Sequence, residues 1–547
     1  MKKIYIVIII NILFIKLQAQ NFEWAKREGS WAYDYGYGIA ADPSGNIYVA
    51  GKYEMNANFS GTILPSYGNH DIYVAQYSST GTLNWIKTAG GINGDYAESL
   101  FCDGTSIYIA GEIEGYGTTI TFENSPITLT CKGFNDMFVA KYDLSGNLLW
   151  AKSAGGNYND KAQGVTADNN GNVYVTGYFT DTANFSGTTI YGNGNQDIYI
   201  AKYDVNGNFI WVHNAGSAGR DEAKSVKCDA SGNIYITGMY SDGTTFGSSI
   251  LSSPNGYVNI FLAKYAPDGS LTWVKTAGSD YDDVGWSLAI DNAGKIYITG
   301  EFNAYALFDN IALTTTGQSN IFVACYDNAG NAQWAIGAGG PLIDRARGIG
   351  CDGTNLYITG QFSLSANFGP YSVTGSDSSE IFMARLSNAG NFEWVTTVGG
   401  PADSLELLSY ESGNAICAEA TGNVYATGAL LNGGVFGNTS FIPYSRTDAF
   451  ITKITQGISV NVSENKNADI TLYPNPSNGN FTLNLNNLSP QRKEITIINC
   501  LGQVIDKRTN ESSAQLNINL STQKKGIYFI EIKTEDQATW REKILLQ

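Results

Sequence analysis

The chain has 547 residues, too many for one ordinary hydrophobic core, with 62 glycines, 34 tyrosines and only 15% charged residues. That balance excludes a charged, disordered chain and favours a turn-rich β protein. A net charge of −17 repels phosphate backbones, so nucleic acid is excluded as a partner and the acidity serves solubility.

At the N-terminus Lys2 and Lys3 precede an apolar run from Ile4 to Ile15, broken only by Asn11, and small Ala19 follows. This is the pattern of a secretory signal peptide over residues 1–19, cleaved after Ala19. The run falls short of the roughly 20 apolar residues that cross a bilayer. No later segment is longer, so the mature chain is expected outside the cytoplasm, without a transmembrane segment.

Residues 20–455 are organised by repetition. "YDLSGNLLWAKSAGG" at Tyr142 has near copies at Tyr77, Tyr203, Tyr265, Tyr326 and Leu386, and an incomplete copy, "NFEWAKREGS", at Asn21. The tryptophans of these copies, Trp24, Trp85, Trp150, Trp211, Trp273, Trp334 and Trp394, are 60 to 65 residues apart. Three other strings recur between them, here in their first copies: "GIAAD" at Gly38, "NIYVAG" at Asn46 and "DIYVAQY" at Asp71. Each string is β-branched or aromatic and bounded by Gly, Asn, Asp or Ser, which marks strands joined by turns. The second and third strings are apolar on both faces and must be covered on both sides. Four antiparallel strands per unit, stacked face to face, predict a seven-bladed β-propeller. The seventh unit lacks its tryptophan strand, so the N-terminal strand is expected to complete it and close the ring. The tryptophans are expected to pack between blades.

These repeats resemble the bacterial seven-bladed β-propeller repeat family, with its "D…GNIYVTG…F…DIFVAKYD.SGN..W" wording. The resemblance implies the fold and little chemistry.

The repeat stops near Thr455. A polar stretch, 456–468, reads as a linker, and residues 469–547 return to short alternating strands, the pattern of a small Ig-like β-sandwich. This segment resembles the type A sorting domain of the Bacteroidetes type IX secretion system. The matching residues are Tyr473, Pro474, Asn475, Pro476, Gly479, Gly502, Gly526, Tyr528 and Lys543. The resemblance implies partnership with that secretion machinery and export through the periplasm to the cell surface or medium. It also implies removal of the domain and attachment to surface lipopolysaccharide.

Signals of catalysis are sparse. His70 and His213 are the two histidines, neither with a recurring Ser or Cys neighbour, and there is no phosphate or dinucleotide fingerprint. Cys102, Cys228 and Cys351 share a repeat position with Ala41, Ala167 and Ile290, so they read as small buried hydrophobes, and no CxxC suggests zinc. No catalytic residue, metal ligand or cofactor is expected. One recurring acid precedes the first strand of six units: Asp34, Asp95, Asp160, Asp221, Asp283 and Asp344. These acids could line a ligand face or cap turns by accepting backbone N–H bonds; one per blade favours capping. The seventh unit breaks or replaces the set.

The first-to-second and third-to-fourth turns are tight and share one face. The long second-to-third loops and the crossovers share the other, where a ligand is expected. Phe59, Phe185, Phe246, Phe308, Phe368 and Phe436 recur in those loops as structural residues. The expected function is an exported binding protein, adhesin-like, for an extracellular protein or glycan. The alternative is a propeller enzyme: a hydrolase or lyase, or a quinoprotein-like oxidoreductase, since "D.sGN..W" resembles the tryptophan motif of quinone-dependent propellers. The scarce histidines and the absence of an adjacent cysteine pair speak against it.

Overall fold

The structure is a computed structural model. It describes residues 20–253, 257–375, 379–400, 411–431, 433–441, 446–456, 471–485, 493–499, 504–510, 514–534 and 539–547. The expected signal peptide, nearly all of the expected linker and Gly502 lie outside the described residues. The chain divides into two compact units, 1–457 and 458–547. Among the described residues no helix is long and apolar enough to cross a membrane.

The first unit is a ring of seven four-stranded antiparallel blades. Blade one runs outward from Tyr35–Ala41 through Ile47–Glu54 and His70–Tyr77 to Leu83–Gly90. In blade seven the order is Ser412–Ala418, Val424–Leu430, Asp448–Gln456 and then the N-terminal strand Gln20–Glu28. The strand at the chain start thus pairs antiparallel with the last strand of the repeat, Ala25 facing Thr452, and closes the ring.

Each tryptophan lies on the turn of the next blade. Trp24 Nε1 donates to the Ser79 carbonyl at 3.0 Å, Trp85 to Leu144 at 3.1 Å and Trp150 to Val205 at 3.1 Å. The turn glycine below must be bare: a Cβ on Gly81 would come within 2.7 Å of Trp24, and its φ is +79°. Trp394 is the exception. Its Nε1 is buried without a partner, because in blade seven no turn joins the third strand to the N-terminal strand.

The long second-to-third loops carry a short hairpin, such as Ala57–Phe59 with Thr62–Leu64. Every hairpin reaches back to the outer strand of the preceding blade. Asn58 exchanges two backbone bonds with Gly29, Thr121 pairs with Gly90, and Val435 N–H donates to the Gly399 carbonyl at 3.3 Å. The expected loop phenylalanines are buried beneath these hairpins, and Phe122 supplies the missing member in blade two.

The second unit packs a three-stranded sheet (Thr471–Tyr473, Asn480–Asn484, Gln515–Asn519) against a four-stranded one. The latter comprises Lys493–Asn499, Val504–Asn510, Gly526–Thr534 and Thr539–Leu546. Their facing side chains, among them Leu483, Ile495, Ile518, Ile530 and Ile544, form one core.

Candidate functional site

The innermost strands surround a central channel, and each carries a β-bulge near its crossover end. The register slips between Gly36 and Gly38, Ala97 and Ser99, Ala162 and Gly164, and correspondingly in the other four blades. A bulge re-aims the extra residue. Here the extra residues are Tyr37, Glu98, Gln163, Lys224, Trp286, Arg347 and Asn414, and all seven line a channel cavity of about 190 Å³. The flanking strand residues are nearly repeated from blade to blade, yet this position holds seven different side chains.

Polar contacts organise much of the ring. Lys161 Nζ bonds Glu98 at 2.7 Å and Glu112 at 2.9 Å. Gln163 donates to Glu222, which also takes Lys224. Arg345 pairs with Glu301 at 2.6 Å, and Trp286 Nε1 donates to the same carboxylate. Lys224 and Arg347 lie 4.8 and 5.1 Å from the Trp286 ring centre. Tyr35 and Tyr37 stack with ring centres 5.5 Å apart, and Lys52 Nζ sits 4.9 Å from Tyr35 and 4.6 Å from Tyr96.

Around this mouth the crossovers expose Trp31 (66% accessible), Ile92, Tyr158, Tyr281 and Ile343. Loop aromatics reach across to them: Phe134 to Tyr158, ring centres 6.3 Å apart, and Tyr257 to Tyr281 at 5.6 Å. The crossover face is therefore aromatic at its rim and charged in its throat. The opposite mouth is wider, about 1030 Å³, and is lined by the tight turns and by Cys102, Cys228, Cys351 and Cys417. The six described cysteines are free thiols; burial pushes Cys102 and Cys351 up to about 11.

The six recurring aspartates stand at the start of the innermost strands but are buried inside the blades, at 0–1% accessibility. Asp160 Oδ2 accepts from Gly156 N–H at 2.6 Å, and its Oδ1 from Thr180 N–H at 3.2 Å. Asp344 repeats this with Gly340 and Ser363. Asp221 takes Ser217, Ser241 and Thr244, Asp34 takes Ser30 and Glu54, and Asp283 takes Ser279 and Asn303. Each of these five clamps the crossover to the end of the second strand. In blade seven Glu411, fully buried, occupies the equivalent place, so the set is replaced there and not broken. Burial pushes these acids up: Asp34, Asp160 and Asp283 to about 7 and Asp344 to about 6, while Asp221 moves in the same direction. Asp95 rises to about 8, from burial first and then from the neighbouring Asp71 charge.

The bulge ring escaped the sequence reading. Its signal is the one discordant letter in an otherwise repeating string: Tyr in "GYGIAAD", Glu in "AESLFCD", Lys in "AKSVKCD", Trp in "GWSLAID".

The family comparisons agree with this architecture. A β-propeller repeat model matches residues 23–52 and 149–186, and a secretion system C-terminal sorting domain model matches residues 471–547. The chain carries β-propeller repeats and a C-terminal secretion sorting domain. The sorting domain marks it for export by the type IX system, to the cell surface or the medium.

Within the sorting domain the motif residues pin its first turn to its last strand. Asn475 Nδ2 donates to the Lys543 carbonyl at 2.6 Å, and Leu545 N–H returns a bond to Asn475 Oδ1 at 3.0 Å. Pro474 and Pro476 flank Asn475, both after cis peptide bonds. Gly479 has φ +106° and lies 2.5 Å, at Cβ reach, from Ser521 Cα. Gly526 opens the long strand on which Tyr528 sits buried, its hydroxyl bonded to the Lys524 carbonyl. The Tyr473 and Lys543 side chains are exposed.

Among curated proteins this chain is 23% identical over 473 residues to an uncharacterized WD repeat-containing protein of Acanthamoeba polyphaga mimivirus. That match covers 68% of this chain and 34% of the relative. An ulvan lyase from Nonlabens ulvanivorans is 28% identical over 92 residues, 17% of each chain. The chain thus spans about a third of the first relative and 17% of the second. A solved structure from Bacteroides thetaiotaomicron, of unknown function, covers 80% of this chain and 99% of its own at 10% identity, with a TM-score of 0.27.

Proposed function

We propose that this propeller is an exported, adhesin-like binding protein that holds an extracellular protein or glycan at its crossover-face mouth and releases it unchanged. One observation carries the reading. A sevenfold scaffold asks for the same residue at each equivalent place, as its tryptophans, tyrosines and clamping acids illustrate. The bulge position departs from that rule at every blade and faces the channel. Seven different side chains on a rigid ring distinguish directions around a ligand, which symmetric scaffolding does not require. The exposed aromatic rim supports the same face, since Tyr and Trp give large contact areas at small entropic cost.

The test uses the full chain on a glycan array and in capture of labelled surface proteins, beside Trp31→Ala and Tyr158→Ala variants of the rim and a Lys202→Gln variant of the opposite face. Loss of binding in the rim variants alone is the expected result. Robust turnover of any captured glycan overturns the non-enzymatic reading, and equal loss in the Lys202 variant overturns the face.

A further inference from the structure

The throat carries more positive charge than its own acids neutralise. Of the carboxylates around the ring, Glu98 and Glu112 are satisfied by Lys161, Glu222 by Lys224 and Arg220, and Glu301 by Arg345. Arg347 stands outside these pairs. Among the described residues it makes no ion pair, and its buried Nε has no hydrogen-bond partner. It is held over Trp286 by its planar face alone, 5.1 Å from the ring centre. Across blade seven, whose bulge residue is the short Asn414, the next side chain it meets is Tyr37. The carboxylate beyond Tyr37 is Glu98, which Lys161 already holds at 2.7 Å.

A buried guanidinium N–H without an acceptor is costly, and the fork of N–H groups matches an oxyanion. The molecule is strongly acidic overall, so a bare cation in its channel runs against the general charge. A second orphan faces the same cavity. Gln163 donates through Nε2 to Glu222, but its Oε1 is buried without a donor. The lining therefore lacks one anion on the Arg347 side and one hydroxyl or N–H on the Gln163 side. The space, about 190 Å³, suits a single ring or a chain end and not a folded peptide.

We propose that the channel takes the acidic residue of a saccharide, its carboxylate or sulfate ester seated on Arg347 and a ring hydroxyl donating to Gln163. The proposal rests on the crossover-face mouth being the binding site and specifies what enters its throat. Trp286 acts here by holding the guanidinium, since its ring already carries two cations. The sugar face is left to the Tyr35–Tyr37 stack.

The experiment titrates the full chain with D-glucuronate, glucose 6-sulfate, glucose and inorganic sulfate, followed by ligand-observed NMR. Wild type is set beside Arg347→Gln, Arg347→Lys and Lys507→Gln, the last an exposed sorting-domain lysine. The expected result is binding of at least one acidic sugar at least tenfold tighter than glucose. That preference should vanish in Arg347→Gln, recover in part in Arg347→Lys and stay unchanged in Lys507→Gln, with all melting temperatures alike. Glucuronate against glucose 6-sulfate separates carboxylate from sulfate. Inorganic sulfate binding as tightly as the sugars overturns the saccharide and leaves a plain anion site. Equal binding of glucose and the acids, or retention in Arg347→Gln, overturns the acidic specificity while the mouth survives as a binding site. Capture of a protein through the rim with no response to any sugar has the same consequence. Binding of nothing at the rim or throat removes both readings.

Discussion

At the scale of single residues, the clamping aspartates show how a repeated acid serves the scaffold. A carboxylate offers two acceptors, and Asp160 uses both on backbone N–H groups of two segments. An amide at this place turns one acceptor into a donor aimed at a donor. Asp160→Asn is therefore expected to lower stability by roughly 0.5–2 kcal/mol, the range of a lost cap, while ligand affinity stays at its wild-type value. Melting temperature and titration on the same variant check both halves; lost affinity at unchanged stability would return the acid to the ligand face. Asp95 differs because Oδ2 accepts one bond, from Gly91, while Oδ1 is buried and unbonded beside Asp71 and Glu114. Its carboxyl, lifted to about 8, keeps a proton in the folded chain that the unfolded chain releases near pH 4. The stability this contributes is complete below about pH 4 and is lost as pH rises toward 8. The melting temperature is expected to fall between pH 5 and pH 9. Asp71→Asn, which reproduces the Asn259 and Asn320 of blades four and five, should make that fall shallower. A slope unchanged in Asp71→Asn would rule out coupling between the two acids.

At the scale of elements, ring closure depends on one strand. The N-terminal strand pairs along Asp448–Gln456, and Trp24 and Glu28 tie it to blade one. Where other outer strands carry Ala or Val, as at Ala89 and Val398, this strand carries Glu28. Its buried carboxylate takes Ser60 N–H at 2.6 Å and the Tyr77 hydroxyl at 3.1 Å. Deleting residues 21–30 removes that latch and leaves a long unpaired edge. The truncated chain is expected to melt lower and to self-associate, read by thermal unfolding and size-exclusion chromatography; a monomer of wild-type stability would show that closure lies elsewhere. Strands, blade number and closure were legible because the turn glycines, strand tyrosines and tryptophans recur at every blade. The loop hairpins were less legible, being two to four residues long with tips as different as Ser60–Gly61 and Asp309–Asn310. The bulge ring was the least legible part, its one discordant letter per blade carrying no sign of where it points. A charged residue inside an apolar string reads as an outward position of an alternating strand, and the register slip that turns it into the channel depends on pairing with the second strand.

At the scale of the whole molecule, folding and destination are assigned to different units. The propeller core closes on itself through strands at both ends of its own segment, and the sorting domain has a separate core around Leu483, Ile530 and Ile544. Each unit has a core of its own, so each is expected to unfold as its own cooperative unit. Deleting residues 470–547 should leave the propeller's thermal transition and its ligand affinity as they are, but stop the chain in the periplasm of a host with the type IX system. The sorting motif gives a finer handle than truncation. Asn475 bridges the Lys543 carbonyl and the Leu545 N–H, so Asn475→Ala frees the first turn from the last strand without touching the propeller. Loss of two hydrogen bonds to a neutral side chain amounts to roughly 1–3 kcal/mol, a large share for a domain this small. The variant is expected to lower the sorting-domain transition, spare the propeller transition and reduce the exported fraction. Cell fractionation with surface labelling decides it: full export with a melted sorting domain would mean that the secretion machinery reads the unfolded segment and not the sandwich.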